Sequence, residues 1–159
     1  MDHQLVNPAK LKLWLDEHVQ GFQGPFDIFK LAGGQSNPTF RLDSRSGSYV
    51  LRRKPPGVLL KSAHAVDREF RAQNALSETN VPVARMHALC EDDDVLGASF
   101  YVMDMIDGQS FDDPQLLEVS VDQRRAIYSE MNRVLTEIHT VDLTATGLDD
   151  YGAPGNYFR

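Results

Sequence analysis

The stretch Tyr49-Val50-Leu51-Arg52-Arg53-Lys54 decides the fold, because it places basic side chains inside a strand-like pattern. Side chains alternate between the two faces of a strand. Val50, Arg52 and Lys54 therefore share one face. Tyr49, Leu51 and Arg53 share the other. One face of the predicted strand thus mixes valine with cations.

A carboxylate, Glu69, falls in the apolar stripe of the helix predicted next. Ser62 is a plausible cap for this helix, which is predicted from Ala63 to about Ser77. Its other stripe positions are Ala65, Val66, Phe70, Gln73 and Leu76. Burying an unpaired carboxylate is costly, so Glu69 requires a cation, and a strand arginine is the obvious candidate. The pair is either a structural ion pair or a means of holding the arginine for nucleotide phosphates.

Further strands are predicted on both sides of this helix. The runs Phe26–Leu31, Thr39–Leu42 and Tyr49–Arg53 precede it, and Ala84–Cys90 and Ala98–Met103 follow it. Gly33 and Gly34 lie in the turn between the first two strands. Glycines there allow backbone N–H groups to approach a phosphate, although a Gly-Gly pair is also typical of an ordinary hairpin turn.

Helices are predicted near both ends of the chain. Asn7 and Pro8 begin one whose stripe is Leu11, Trp14, Leu15 and Val19, which favours packing over a membrane-surface position. Asp113 and Pro114 predict a short helix. The capping box from Ser120 to Gln123 predicts a longer one ending near His139. Its apolar face consists of Ile127, Tyr128, Met131, Leu135 and Ile138. We expect the sequence to continue beyond Arg159 in a longer protein.

Composition excludes several classes of function. The 159 residues carry a formal charge of -7 and no basic block, which argues against a nucleic-acid partner. No apolar run approaches a membrane span and the N-terminus lacks a signal-peptide pattern, so we predict a soluble, cytoplasmic protein. Cys90 is expected to fill the core. The acidic run Glu91–Asp94 is interpreted as a solvated hairpin tip rather than a metal site.

The order of these features resembles the small lobe of protein kinases. Phe100–Gly108 resembles the kinase hinge, and the Gly33–Asn37 turn is similar to that of the aminoglycoside phosphotransferase and choline kinase-like family. More narrowly, Tyr49–Leu60 and Ser62–Arg71 resemble the phosphotransferase domains that occur alone in bacteria or fused to acyl-CoA dehydrogenases. The resemblance covers roughly residues 25 to 145.

This resemblance implies an α+β fold, in which a protein-kinase-like small lobe with a five-stranded antiparallel sheet and a helix is followed by the first helices of the large lobe. The implied organisation is an N-terminal amphipathic helix (1–24), the kinase-like lobe (25–106), and the hinge exit with the start of a C-terminal lobe (107–159).

The resemblance also implies a site for ATP. Arg52 takes the place of the usual strand lysine, with Glu69 as its helix partner, and Lys54 remains a rival. Met103 lines the back of the adenine pocket, and the carbonyl of Asp104 and the N–H of Ile106 bond the adenine edge. The full set of implied cofactor-binding residues is Gly33, Gly34, Ser36, Asn37, Val50, Arg52, Glu69, Met103, Asp104 and Ile106.

The chain departs from the family pattern in two respects. Arginine and lysine are not interchangeable at a phosphate site. In addition, the catalytic His-Gly-Asp segment, with Asn four residues later, occurs nowhere in the sequence. The His139–Asp142 run is superficially similar but ends a helix. We therefore predict no catalytic residue in this chain and expect the Mg2+ ligands beyond Arg159.

Two functional hypotheses remain. The first is the ATP-binding portion of a small-molecule kinase that transfers the γ-phosphate to a hydroxyl group; the fragment alone would be inactive. Its acceptor, whether an aminoglycoside, a hydroxy acid or a hydroxyacyl thioester, and its oligomeric state stay open. The second is a non-catalytic module that binds a nucleotide or a partner. The first predicts loss of ATP affinity in Arg52→Ala and Glu69→Ala, with Arg53→Ala near wild type.

Overall fold

The computed structural model describes residues 6–31, 37–57 and 64–152. Within them lies a five-stranded antiparallel sheet in the order β1-β2-β3-β5-β4. The strands are β1 (Phe26–Lys30), β2 (Thr39–Ser44), β3 (Gly47–Arg53), β4 (Met86–Cys90) and β5 (Phe100–Asp104). All five predicted strands are confirmed, with ends shifted by at most two residues. The fold class is the one the sequence predicted.

The strand register defines two faces of the sheet. Val50 lies opposite Met103 and Arg52 lies opposite Tyr101, so these four residues share a face. Tyr49 lies opposite Asp104 on the other face. The predicted alternation along β3 is therefore confirmed.

The helix α1 (Pro8–His18) packs against the Tyr49 face. Asn7 caps it by accepting hydrogen bonds from the N–H groups of Ala9 and Lys10, and Pro8 occupies the first turn, where its missing N–H costs nothing. The ring of Trp14 meets that of Phe100 edge-on at 4.7 Å between centroids. The predicted packing is confirmed, because the apolar stripe is buried at Leu11, Trp14, Leu15 and Val19. Cys90 is buried in the same core.

The helix α2 (Val66–Leu76) packs against the Arg52 face. Val66 is fully buried and forms a cluster with Met86 and Tyr101, while Phe70 and Met103 are partly buried at its edge. The helix begins at Val66 rather than Ala63, and the predicted cap Ser62 lies outside the described residues. Only Val66 of the predicted stripe is buried within the helix, so α2 covers this face less completely than the periodicity suggested.

The acidic segment corrects one expectation. Glu91–Asp94 is exposed, as expected of a solvated tip, but the connection contains a short helix, α3 (Asp93–Leu96). Asp92 caps it through the N–H of Asp94, and Gly97 ends it with a left-handed φ of 77°. The physical reason is that aspartate at an N-cap and in a first turn favours helix initiation.

The chain divides into two units, which are described separately. One comprises residues up to Asn74 together with Ala84–Met105; the other comprises Ala75–Val83 and the residues from Ile106 onward. The second unit contains α4 (Val121–His139), whose predicted capping box is present: Ser120 Oγ accepts from the Gln123 N–H, and the Gln123 side chain accepts from the Ser120 N–H. No residue of α4 is buried.

The short helix predicted at Asp113 is absent from the described structure of the second unit. Asp113 instead organises a turn, in which its side chain accepts from the N–H of Gln115 and its carbonyl accepts from the N–H of Leu116. Leu116 has a left-handed φ of 52°, a conformation that interrupts a right-handed helix. Among the described residues, none of the helices has the length and apolar character needed to cross a membrane.

Candidate functional site

An ion pair between β3 and α2 forms the centre of the candidate site. The Arg52 Nε lies 2.7 Å from Glu69 Oε2 and its Nη2 lies 3.4 Å from Oε1. The side chains are 27% and 33% exposed, so the pair is only partly desolvated. Glu69 therefore pairs with a strand arginine, as the sequence predicted. The pair is partly exposed rather than deep in the core, so burying Glu69 is less costly than predicted.

Two further residues hold the Glu69 carboxylate. The amide of Asn37 donates to Oε1 at 2.9 Å, and the hydroxyl of Tyr101 donates to Oε2 at 3.1 Å. Each carboxylate oxygen therefore accepts from Arg52 and from one neutral donor. Because Asn37 precedes β2 and Tyr101 lies in β5, three separate segments of the first unit converge on Glu69.

The geometry of Arg52 leaves donors for a ligand. A guanidinium carries five N–H groups. Two point to Glu69, and Nη1 donates a third to Thr39 Oγ1 at 3.2 Å. Within the described part of the chain these contacts leave one N–H on each of Nη1 and Nη2. Arginine can thus bind its carboxylate partner and still present a two-pronged fork.

Charges and burial shift two pKa values at this site. The hydrogen bond from Arg52 to Glu69 raises the pKa of the guanidinium, against the effect of partial burial. Burial, together with the negative charge of Glu69, raises the pKa of Tyr101 to about 12. Arg52 is therefore a permanent cation, and Tyr101 keeps its proton, and with it the hydrogen bond to Glu69, at physiological pH.

The other two cations of β3 and its exit have different surroundings. Lys54 Nζ lies 3.6 Å from Asp67 Oδ1 in the first turn of α2, which leaves Lys54 close to the site face. Arg53 is 2% exposed on the opposite face, and its Nη2 donates to the Leu96 carbonyl at 3.0 Å. Burial lowers the pKa of Arg53. Replacing Arg53 would disturb the core, so it is a poor control for ligand binding.

The residues predicted to hold adenine lie at the end of β5. Met103 is partly buried on the site face opposite Val50, which is itself buried. The side chain of Asp104 lies on the opposite face of the sheet, with its Oδ1 2.6 Å from His87 Nε2, so the predicted ligand contact falls to its backbone. The side chain of Ile106 is 64% exposed and belongs to the second unit.

The predicted phosphate-covering turn is only partly described. Gly33, Gly34 and Ser36 lie outside the described residues. Asn37 is 1% exposed, and its carboxamide contacts both Glu69 and His64, whose Nδ1 is 3.1 Å from the Asn37 Oδ1. The Asn37 side chain therefore supports the ion pair.

Sequence reasoning missed Tyr101, Thr39 and Gln73. Gln73 was identified in the helical stripe but received no function; its Nε2 lies 3.4 Å from the Tyr101 hydroxyl. A usable signal existed for Tyr101, because its two-residue spacing from Met103 places both on one strand face. The position of Arg52 opposite Thr39 and Tyr101 required the register of three strands.

Acidic and histidine side chains of the described residues do not converge on a metal centre. Among these residues, no cluster of three or more His, Cys, Asp or Glu side chains has the arrangement needed to hold a metal ion. His139 ends α4, and the side chain of Asp142 caps the following turn through the N–H groups of Thr144 and Ala145. What the described site offers chemically is the arginine fork of Arg52, which can bind an anion.

A five-stranded antiparallel sheet with a strand cation paired to a helix carboxylate defines a kinase-like phosphotransfer module. Residues 27–159 match the family model APH, the phosphotransferase enzyme family. The chain belongs to this family.

Solved and curated relatives agree with that assignment. A "putative aminoglycoside phosphotransferase" from Ralstonia eutropha JMP134 is 47% identical, with a TM-score of 0.83 over 96% of this chain and 44% of that chain. The chain is 46% identical to "Probable acyl-CoA dehydrogenase IBR3" of Arabidopsis thaliana, covering 99% of this chain and 20% of the relative. It is 37% identical to acyl-CoA dehydrogenase family member 11 of Homo sapiens, covering 94% and 20% respectively. The chain thus spans about a fifth of these curated relatives.

Proposed function

We propose that this chain is the ATP-binding portion of a small-molecule kinase that transfers the γ-phosphate of ATP to a hydroxyl group. The observation that carries the proposal is the Arg52–Glu69 pair, which lies on one sheet face with an arginine fork left over for an anion. Family membership supports the reaction class. A cytoplasmic location stays a prediction.

In this proposal Arg52 contacts the phosphates and Glu69 orients it. Arginine at this position is compatible with phosphate binding, because three of its N–H groups satisfy Glu69 and Thr39 and two are left over among the described residues. A lysine has three N–H groups on a single nitrogen and lacks this division. The turn that contains Gly33, Gly34 and Ser36 is proposed to cover the phosphates, and Asn37 to hold Glu69.

The adenine ring is proposed to lie beyond Val50 and Met103. Both are apolar residues on the site face and lie opposite each other in the β3–β5 pair. The carbonyl of Asp104 and the N–H of Ile106 are proposed to bond the adenine edge. These backbone contacts make the identity of both side chains unimportant for binding, which is consistent with the engagement of the Asp104 side chain by His87.

The proposal assigns the remaining chemistry to residues outside this chain. Phosphoryl transfer of this class uses Mg2+ and a carboxylate that accepts the acceptor's proton. The described residues do not fit a Mg2+ site, and the His-Gly-Asp segment is absent from the sequence. The acceptor is a small molecule with a hydroxyl group. Its class stays open between an aminoglycoside, a hydroxy acid and a hydroxyacyl thioester.

A second candidate function is a non-catalytic module that binds nucleotide or a protein partner. The arginine fork of Arg52 is compatible with it, because that fork can hold an anion without any transfer. The two candidates differ in what they predict for the coding sequence that follows Arg159. An in-frame His-Gly-Asp loop with a downstream Asp would exclude the module.

The binding proposal is tested by measuring ATP affinity in the full-length protein, which includes any residues that the natural chain carries beyond these 159. Arg52→Ala is expected to weaken ATP binding by roughly 10- to 100-fold, because it removes charge-assisted hydrogen bonds worth about 1.5–3 kcal/mol. Glu69→Ala should weaken it similarly, since Arg52 is then no longer oriented. Isothermal titration calorimetry gives the affinities.

Two matched variants complete this experiment. Arg52→Lys keeps the charge but loses the fork, so its affinity should fall between those of wild type and Arg52→Ala. Lys54→Ala removes the neighbouring cation of the same face and should stay within about threefold of wild type. An Arg52→Ala protein that binds ATP as wild type does would refute the proposal, and a larger loss in Lys54→Ala would transfer the phosphate contact to Lys54.

A further inference from the structure

We propose that Tyr101 is a positioning residue of the nucleotide site, acting on the phosphates through Glu69 and Arg52. The inference rests on the proposed function of that pair and adds a residue that the sequence did not single out. Tyr101 is 1% exposed, so it acts from beneath the site and not by touching the ligand.

The contacts of Tyr101 place it next to both members of the pair. Its hydroxyl donates to Glu69 Oε2 at 3.1 Å, the same oxygen that accepts from Arg52 Nε at 2.7 Å. Tyr101 is also the direct cross-strand neighbour of Arg52. The hydroxyl therefore restrains the carboxylate oxygen that sets the direction of the guanidinium.

The surroundings of Tyr101 direct its hydroxyl proton. Gln73 Nε2 lies 3.4 Å from the hydroxyl oxygen and donates to it, which leaves the proton for Glu69. The ring packs against Phe70, with 6.1 Å between centroids. Both residues lie in α2, as Glu69 does, so the ring and the carboxylate belong to one packed arrangement.

Loss of the hydroxyl alone would loosen the site selectively. Glu69 Oε2 would keep Arg52 as a partner, but the carboxylate could rotate and turn the free arginine fork away from a phosphate. The ring of Tyr101 and the apolar surface near Met103 would be unchanged. Contacts to phosphates would therefore weaken while contacts to adenine would not.

The test compares ATP with adenosine in the full-length protein carrying Tyr101→Phe. Both ligands are measured by displacement of a fluorescent adenine nucleotide. We expect a roughly 3- to 10-fold loss of ATP affinity and an unchanged affinity for adenosine. Equal losses for both ligands would show that the hydroxyl only stabilises the fold and would overturn the inference.

Tyr49→Phe is the matched control. Tyr49 lies in β3 on the opposite face of the sheet and its hydroxyl also has a partner, Ser46 Oγ at 2.9 Å. Its removal should leave ATP affinity at the wild-type value. A loss equal to that of Tyr101→Phe would mean that any buried hydroxyl of the sheet affects binding, which also contradicts the inference.

The double variant Arg52→Ala/Tyr101→Phe separates this inference from the proposed function. If Tyr101 acts through Arg52, the double variant binds ATP as weakly as Arg52→Ala and no weaker. Additive losses would contradict that path. If Arg52→Ala alone leaves ATP affinity intact, the proposed function fails; if Arg52→Ala weakens ATP binding and Tyr101→Phe does not, only the inference about Tyr101 fails.

Discussion

The helices α1 and α4 carry the same kind of sequence pattern and have opposite surroundings. In α1 the apolar stripe is buried, with Leu11 and Leu15 both at 0% exposure. In α4 the apolar stripe stays open, with Met131 at 58% and Leu135 at 50%. Periodicity therefore indicates which face of a helix is apolar, and the neighbouring elements decide whether that face is covered.

Different forces hold these two helices. Burial against the sheet holds α1, which places Trp14 against Phe100. The contacts of α4 are with nearby segments of the chain, and they include its capping box, the hydrogen bonds of Arg124 to the Leu116 carbonyl and the ion pairs of Arg133 with Glu130 and Glu137. Exposed pairs of this kind contribute little to stability, because water and salt screen them. The first unit therefore gains far more from tertiary packing than α4 does.

The largest expected effect comes from leucine truncation in the two helices. In the 159-residue chain, Leu15→Ala should lower the free energy of unfolding by about 2–5 kcal/mol, because it opens a cavity in the core. Leu135→Ala should lower it by less than about 1 kcal/mol, because half of that side chain is already in water. Urea unfolding followed by far-ultraviolet circular dichroism reports on the helices of both units, and the fluorescence of Trp14, the single tryptophan, reports on the first unit.

One result of this experiment would contradict the contrast between the two helices. Comparable losses in Leu15→Ala and Leu135→Ala would mean that the face of α4 is covered in solution. The contrast between the two helices would then not describe the protein.

Alkaline titration tests the environment of Tyr101, which lies on the sheet face that carries Arg52. The pKa of Tyr101 is raised to about 12 from an ordinary value of 10.0, so its contribution to stability is complete below pH 10 and is lost as the pH rises towards 12. A shift of this size corresponds to about 2–3 kcal/mol. The stability advantage of wild type over Tyr101→Phe should therefore shrink by up to about that amount as the pH is raised from about 9 to about 12, as measured by urea unfolding.

A constant difference between the two proteins across this pH range would contradict the buried, Glu69-linked environment of Tyr101. It would leave the contrast between α1 and α4 untouched, since that contrast rests on the exposure of their own side chains.

The smallest expected change in stability comes from placing lysines on the exposed apolar face of α4. Met131→Lys with Leu135→Lys should alter the free energy of unfolding by less than about 1 kcal/mol, since both side chains are exposed. The substitutions should nevertheless reduce self-association of the 159-residue chain, because they interrupt an exposed apolar surface. Sedimentation velocity over a range of concentrations measures this.

Gln20→Lys with Gln23→Lys, at exposed polar positions after α1, adds the same two positive charges without removing apolar surface and is the control for charge alone. A wild-type chain that stays monomeric at every concentration would contradict the expected association and would favour the non-catalytic module.

Much of the candidate site could be predicted from local pattern. Alternation along β3 assigned Arg52 and Arg53 to opposite faces, and helical periodicity aimed Glu69 at the sheet. The pairing of Arg52 with Glu69 followed, because a carboxylate in an apolar stripe requires a cation. Each of these steps needed only the position of a residue in the pattern and whether its side chain is apolar or charged.

Other features depended on contacts between distant segments. The burial of Asn37 against Glu69 joins residues 32 positions apart, and the bond from Tyr101 to Glu69 spans the same separation. The left-handed conformation of Leu116 and the α3 helix are local features, and the strand and helix periods missed them because each involves only a few residues.

The sequence by itself determined the five strands, the faces of the helices and the charge pair, since periodicity and the cost of burying charge act locally. Only the tertiary structure decided which neutral donors complete the Glu69 carboxylate and which apolar faces are covered. Both depend on strand register and on the packing of segments far apart in the chain, which no local pattern records.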